Sequence, residues 1–187
     1  MYLKKKTPTQ IKKLFNLFES LINSDNKILS SMDKSYKDSY TKKLISSLKN
    51  IANVNLIGMG GSTLGAKAIY NFLEPKKKFN FIDNFSNFLS KQDKGKNINL
   101  IISKSGNTLE TISNSNILIN RRMKNIFITE NKKSYLMSLA SKLKAEVIHH
   151  NNFIGGRYSV LSEVGMLPAE LMGFKPEKFR RLNNLLK

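Results

Sequence analysis

Directly after the apolar run Ile98 to Ile102, the six residues Ser103-Lys104-Ser105-Gly106-Asn107-Thr108 bring together three hydroxyls, one amine and a glycine. A phosphate monoester carries about two negative charges and several acceptor oxygens. Hydroxyl donors, bare helix N–H groups and a glycine that admits close approach suit such a group. The plainer reading is a helix cap, with Asn107 or Thr108 capping and Glu110 favoured in the first turn by the helix dipole. A cap needs one such residue, not a run of six polar and glycine positions. A second stretch, Gly58-Met59-Gly60-Gly61-Ser62-Thr63-Leu64-Gly65, also lies between an apolar run and a helical one, which is an anion site in outline. It departs from both familiar nucleotide loops: position 63 is threonine where a third glycine would stand, and Gly65 is followed by Ala66-Lys67 instead of Lys-Ser/Thr. Asp83, ending the next apolar run, could serve as the ribose acid of a dinucleotide fold, which keeps a nucleotide-dependent enzyme as a weaker alternative. A third segment, Gly155-Gly156-Arg157-Tyr158-Ser159-Val160-Leu161-Ser162, sets an arginine behind two glycines, where it could hold a developing oxyanion. Taken alone, an arginine in a loop is more often a surface charge or a helix-end ion pair.

The elements that must position these segments follow from periodicity. Short apolar runs at Val54 to Ile57, Phe79 to Ile82, Ile98 to Ile102, Ile126 to Ile128 and Val147-Ile148 read as five strands. The stretches between them, Ser62 to Leu73, Phe85 to Gln92, Thr108 to Asn120 and Ser134 to Lys144, are long enough for crossover helices. Strictly alternating strands and helices predict a doubly wound parallel sheet, in which ligands bind outside the carboxyl ends of the strands. The loops beginning at Gly58, Ser103, Thr129 and His149 are therefore where chemistry belongs. Ahead of the sheet, Thr7-Pro8 opens a helix whose stripe of Ile11, Leu14, Phe15, Phe18, Leu21 and Ile22 should lie on a core. A second helix is expected from Ser35 to Leu48, burying Tyr36, Tyr40, Leu44, Ile45 and Leu48. At the end, Phe179, Leu182, Leu185 and Leu186 form an apolar set in a last helix that docks on its own domain or buries against a second chain.

Composition narrows the function classes. The formal charge of +19, from 32 Lys+Arg against 13 Asp+Glu, favours an anionic partner. The basic residues are scattered as Lys4-Lys5-Lys6, Lys76-Lys77-Lys78, Arg121-Arg122 and Lys132-Lys133, without the aromatic interleaving of a nucleic-acid surface. Neither a nucleic-acid nor a membrane partner is expected. The absence of cysteine and the presence of only two histidines, His149 and His150, leave little for a metal site. Without an apolar span or leader, the chain reads as cytoplasmic.

Taken together, Ile57-Gly58-Met59-Gly60-Gly61-Ser62, Ser103-Lys104-Ser105-Gly106-Asn107-Thr108-Leu109-Glu110-Thr111 and Gly155 to Gly165 resemble the glucose-6-phosphate isomerase family over about Val54 to Glu170. The Ser-x-Ser-Gly-x-Thr element is common to many sugar-phosphate isomerases and regulators, and the Gly-Gly-Arg-Tyr-Ser segment is narrower. The resemblance implies a sugar-isomerase (SIS) domain: a three-layer α/β/α sandwich with a five-stranded parallel sheet of flavodoxin-like order, preceded by two N-terminal helices. It implies a helical extension over 1–50, the sugar-phosphate domain over 51–174, and a helix over 175–187 that leads towards a second domain. Ser103, Lys104, Ser105 and Thr108 would form the phosphate loop, Gly61 and Ser62 would close the other side of a hexose 6-phosphate, and Arg157 would stabilise the enediolate. No metal or other cofactor is implied. The family's base glutamate, ring-opening histidine and a further lysine fall in motifs beyond Lys187. The resemblance therefore points to the binding half of an isomerase, completed by a second chain or fragment or working as a homodimer. The rival is a stand-alone phosphosugar-binding or regulatory module without turnover. His149 and His150 read as strand-end residues. Glu163 stands where the family often has a small residue and reads as a surface acid at a helix start; Glu110 reads as support for the binding loop.

Overall fold

The computed structural model describes residues 7–23, 26–85, 96–119 and 123–181. Five parallel strands, β1 (Asn53–Ile57), β2 (Lys78–Ile82), β3 (Asn97–Ile102), β4 (Lys124–Thr129) and β5 (Glu146–His149), form one sheet in the order β2-β1-β3-β4-β5. Every strand expected from the apolar runs is present. Of the crossover helices, α3 (Gly61–Leu73), α4 (Leu109–Leu118) and α5 (Tyr135–Leu143) are found where expected. The helix read over Phe85 to Gln92 lies almost wholly outside the described residues. Strand order reverses between β1 and β3, so the loops beginning at Gly58 and Ser103 flank the switch point of the sheet.

Alternation along the strands divides the interior in two. Val54, Leu56, Ile98, Leu100, Ile102, Ile126 and Ile128 face a core shared with α2 (Lys42–Ser47), α3 and α6 (Glu163–Leu171). Ile57, Ile82, Ile101 and Phe127 face the other way, against Leu136 and Ala140 of α5 and Ile112 of α4. On that second face the lower half of the sheet is polar. Asn80, Asn55, Asn99 and Asn125 stand in register on four adjacent strands. Asn80 donates to Asn55 (3.0 Å), Asn55 to Asn99 (3.0 Å) and Asn99 to Asn125 (2.9 Å). A one-residue slip of any strand would carry its amide to the opposite, apolar face, so the row fixes register.

Two expectations change. Helix α1 (Pro8–Asn23) forms, but Ile11, Leu14, Phe15, Phe18 and Leu21 are exposed instead of lying on a core, and the side chain of Ile22 lies outside the described residues. The second helix begins at Lys42 instead of Ser35: Thr41 caps it, its Oγ1 accepting from the Leu44 N–H (3.2 Å), while Asp33 Oδ1 takes the Ser35 N–H (2.7 Å) into a turn. Tyr40, Leu44, Ile45 and Leu48 still reach the main core. In helix α7 (Pro176–Arg180), partly buried Phe179 packs against that same core, as the alternative of a helix docked on its own domain has it; Leu182, Leu185 and Leu186 lie outside the described residues. Among the described residues no helix is long and apolar enough to cross a membrane.

Candidate functional site

Two loops meet at the switch point. Gly58 follows β1, and a Cβ there would lie 2.9 Å from the carbonyl oxygen of Ile102 at the end of β3, so the two backbones are in contact. Gly60, at the N-cap of α3, has φ +55°, a left-handed backbone that lets the loop turn into the helix at once. The space where a Gly61 side chain would stand is filled by the backbone of Gly156. Ser159 secures this contact, its hydroxyl donating to the carbonyls of Gly156 (2.7 Å) and Gly61 (3.4 Å). Val160 closes over Gly65 one turn further along α3. The Gly-Gly-Arg segment, a 3-10 turn over Gly156–Leu161, is therefore folded onto the start of α3. Arg157 leaves the backbone one residue from the contact with Gly61 and is exposed.

On the other side of the switch point the three hydroxyls converge. Ser103 is buried, and its Oγ accepts from the Gly106 N–H (3.2 Å) and lies 3.0 Å from Thr108 Oγ1. Ser105 Oγ accepts from the Asn107 N–H (3.2 Å) and lies 3.5 Å from Thr108 Oγ1. The capping alternative fails for both candidates. Thr108 occupies the N-cap of α4 without capping it, and Asn107 Oδ1 instead accepts from the Tyr135 N–H at the start of α5 (2.9 Å). The positive end of α4 thus carries hydroxyls turned toward one another and no side-chain cap, an arrangement suited to a multi-oxygen anion.

Lys104 belongs to the loop, but its ammonium is turned to the neighbouring strand ends. It donates to the Asn152 carbonyl (2.7 Å) and lies 3.5 Å from Glu130 Oε1, while Lys132 pairs with the other oxygen of Glu130. Desolvation would push the Glu130 carboxyl up, yet the two lysines together hold it below the ordinary carboxylate range. Lys104 therefore ties the loops after β3, β4 and β5 together. Asp83, the acid of the nucleotide alternative, is partnered by Lys67 of α3 at 3.3 Å.

Glu163 corrects the sequence reading. Far from being a surface acid, it is fully buried at the first position of α6, where its oxygens accept from the Tyr36 hydroxyl (2.9 Å) and the Asn151 N–H (2.8 Å). His150, also buried, sits with Nδ1 4.0 Å from the same carboxylate and 3.1 Å from the Asn151 carbonyl. Desolvation pushes His150 below its ordinary value, against the opposing pull of Glu163. His149, by contrast, ends β5 and is exposed. The signal that could have found Glu163 was its place, directly before the almost uninterrupted apolar run Val164 to Ala169.

The phosphoglucose isomerase family model matches residues 22–184. The glucose-6-phosphate isomerase of Methanocaldococcus jannaschii is 37% identical over 172 residues, covering 84% of this chain and 41% of that protein. That of Mycoplasma genitalium is 35% identical over 169 residues, covering 81% of this chain and 37% of that protein. The chain thus spans about two-fifths of the length of these curated relatives. In fold it is similar to a hypothetical protein of Thermus thermophilus, with a TM-score of 0.74 at 24% identity, over 95% of this chain and 49% of that one.

Proposed function

The chain belongs to the phosphoglucose isomerase family, and from that premise we propose that it is the sugar-phosphate-binding part of a cytoplasmic isomerase interconverting glucose 6-phosphate and fructose 6-phosphate. The observation that carries this reading is the cluster of Ser103, Ser105 and Thr108 hydroxyls at the uncapped start of α4. There the three side chains and the helix N–H groups take the phosphate oxygens, with the Lys104 backbone completing the loop. Gly61 and Ser62 close the opposite wall. Isomerisation removes the proton from C2 of the open-chain aldose, passes through an enediolate and returns a proton to C1. Arg157, exposed beside Gly61, holds the negative charge that gathers on oxygen in that intermediate.

The base is assigned to polypeptide outside these residues. Glu163 is fully buried and bonded on both oxygens, and Glu130 is committed to two lysines. The proposed source of the base is the remainder of the isomerase, on the same polypeptide or on a companion fragment, and a homodimer of that assembly is compatible with it. The isolated chain then binds hexose 6-phosphates with little or no turnover, since general acid–base groups commonly contribute about 10²–10⁴-fold each.

Titration calorimetry with glucose 6-phosphate and with glucose tests the reading. The phosphorylated sugar should bind and the free sugar should not, and Ser105→Asp, which sets a carboxylate against the phosphate, should abolish binding without unfolding the chain. Equal affinity for the two sugars, or binding unaffected by Ser105→Asp, would refute it.

A further inference from the structure

The segment that bears Arg157 is held at both ends by buried ionic side chains, and the two meet on one residue of the N-terminal region. At its start, the Asn151 N–H donates to Glu163. At its end, the Leu161 carbonyl accepts from Arg180 Nη2 (2.7 Å). Arg180 is 3% exposed, and the same nitrogen reaches the Asp38 carboxylate at 2.8 and 2.9 Å while Nε donates to the Ser31 carbonyl (3.2 Å). Tyr36 joins the two anchors. Its hydroxyl donates to Glu163, its carbonyl accepts from Arg180 Nη1 (3.4 Å), and its ring lies under the guanidinium at 5.0 Å.

We propose that Tyr36, Glu163 and Arg180 form a positioning brace that sets Arg157 against the reacting part of the sugar, so that the N-terminal region acts on transition-state stabilisation without touching substrate. This rests on the reading of Arg157 as the enediolate-stabilising group. Arg157 is exposed on a 3-10 turn, and its placement comes from what fixes the turn. On one flank the turn lies against Gly61, secured by the buried Ser159 hydroxyl; on the other the buried ionic groups Glu163 and Arg180 hold the Asn151 N–H before it and the Leu161 carbonyl at its end. A buried carboxylate with two donors and a buried guanidinium with four acceptor groups are costly to desolvate, and they hold geometry because breaking either leaves an unpaired charge inside the protein. The three residues are positioning residues; the Ser103, Ser105 and Thr108 hydroxyls are held by one another and by the Gly106 and Asn107 N–H groups, and none of those bonds is made to the brace.

The test compares two ligands on the full chain: glucose 6-phosphate, and a five-carbon hydroxamate 5-phosphate whose planar anion resembles the enediolate. Wild type should bind the hydroxamate about 100-fold more tightly or better, as transition-state analogues do. Arg157→Ala should erase that preference. Tyr36→Phe, which removes one hydroxyl and keeps the ring, should cut the preference about 10-fold, the loss of one hydrogen bond to a charged group, while leaving glucose 6-phosphate affinity unchanged. Glu163→Gln, which preserves shape, should act in the same direction. Phe79→Leu, a core change remote from the brace, should lower stability without altering the ratio. A preference that survives Tyr36→Phe and Glu163→Gln overturns the brace, and so does an equal loss of both ligands, which is what a merely structural role would give. A wild-type chain that binds phosphate but shows no preference removes the role of Arg157 instead.

Discussion

Replacing Gly61 with alanine is the sharpest perturbation of the site that adds only one carbon. The new Cβ would stand 2.9 Å from the Gly156 Cα, 0.5 Å short of the 3.4 Å at which ordinary contact begins, and nearer still to the Gly156 carbonyl. The obstacle is backbone, so no rotamer change relieves it, and the Gly-Gly-Arg turn must move off α3 by more than that half ångström. Overpacking of this kind costs about 1–3 kcal/mol, and a rigid obstacle argues for roughly the top of the range. For a chain of this size about 3 kcal/mol lowers Tm by roughly 6–12 °C. The displacement also carries Arg157 away from Ser62, and a misplacement on the order of 1 Å can cost about 10²-fold in stabilising a transition state. Thermal melting and hydroxamate titration read the two effects separately. Gly155→Ala is the matched control, because its Cβ meets only Tyr158 Cδ2 at an ordinary 3.7 Å. If Gly61→Ala melts within about 2 °C of wild type, in the range of an ordinary surface substitution, the close approach of α3 to the arginine segment is wrong.

Asn99→Ala should destabilise the chain by about 1–3 kcal/mol, because it removes a fully buried amide that accepts from Asn55 and donates to Asn125 and to the Leu118 carbonyl; denaturant unfolding measures this. Thr41→Ala removes the cap of α2 and should cost about 1 kcal/mol on the same assay. Stability should fall as pH drops below the ordinary histidine value of 6.5: burial depresses His150 in the folded state, so the unfolded chain takes up a proton that the folded chain refuses. Lys104 reinforces that depression and Glu163 and Glu130 oppose it. The slope for one proton is at most about 1.4 kcal/mol per pH unit, and His150→Asn should flatten it in urea melts between about pH 7 and 5.5.

The sheet was legible because its signal is local. Five apolar runs separated by helix-length stretches leave one economical topology, and the switch point follows from it. The clustering of the Ser103, Ser105 and Thr108 hydroxyls was legible for the same reason, since they stand within six consecutive positions. What the sequence hid depends on residues far apart along the chain. Tyr36 and Glu163 are 127 positions apart, and nothing near either one announces the other. The partners of Lys104 were hidden because Glu130 and Asn152 arrive from the loops after other strands. The α1 stripe failed for a related reason: periodicity shows that a helix has an apolar face, and cannot show what that face meets.

The asparagine row across the sheet has a direction. Asn80, Asn55 and Asn99 each donate to the next amide, and Asn125 ends the line by donating to the Met123 carbonyl (3.0 Å). Every amide is thus oriented by its neighbour, and turning one around would set acceptor against acceptor on one side and donor against donor on the other. The four positions are individually indispensable and collectively dispensable. Losing one breaks its neighbours' bonds, whereas exchanging all four for β-branched aliphatic residues removes the side-chain donors and acceptors of the row together and deprives only the Leu118 and Met123 carbonyls of a donor. Any route from the polar row to an apolar one therefore passes through intermediates less stable than either end, a barrier in sequence space raised by hydrogen bonds that contribute little net stability where they stand.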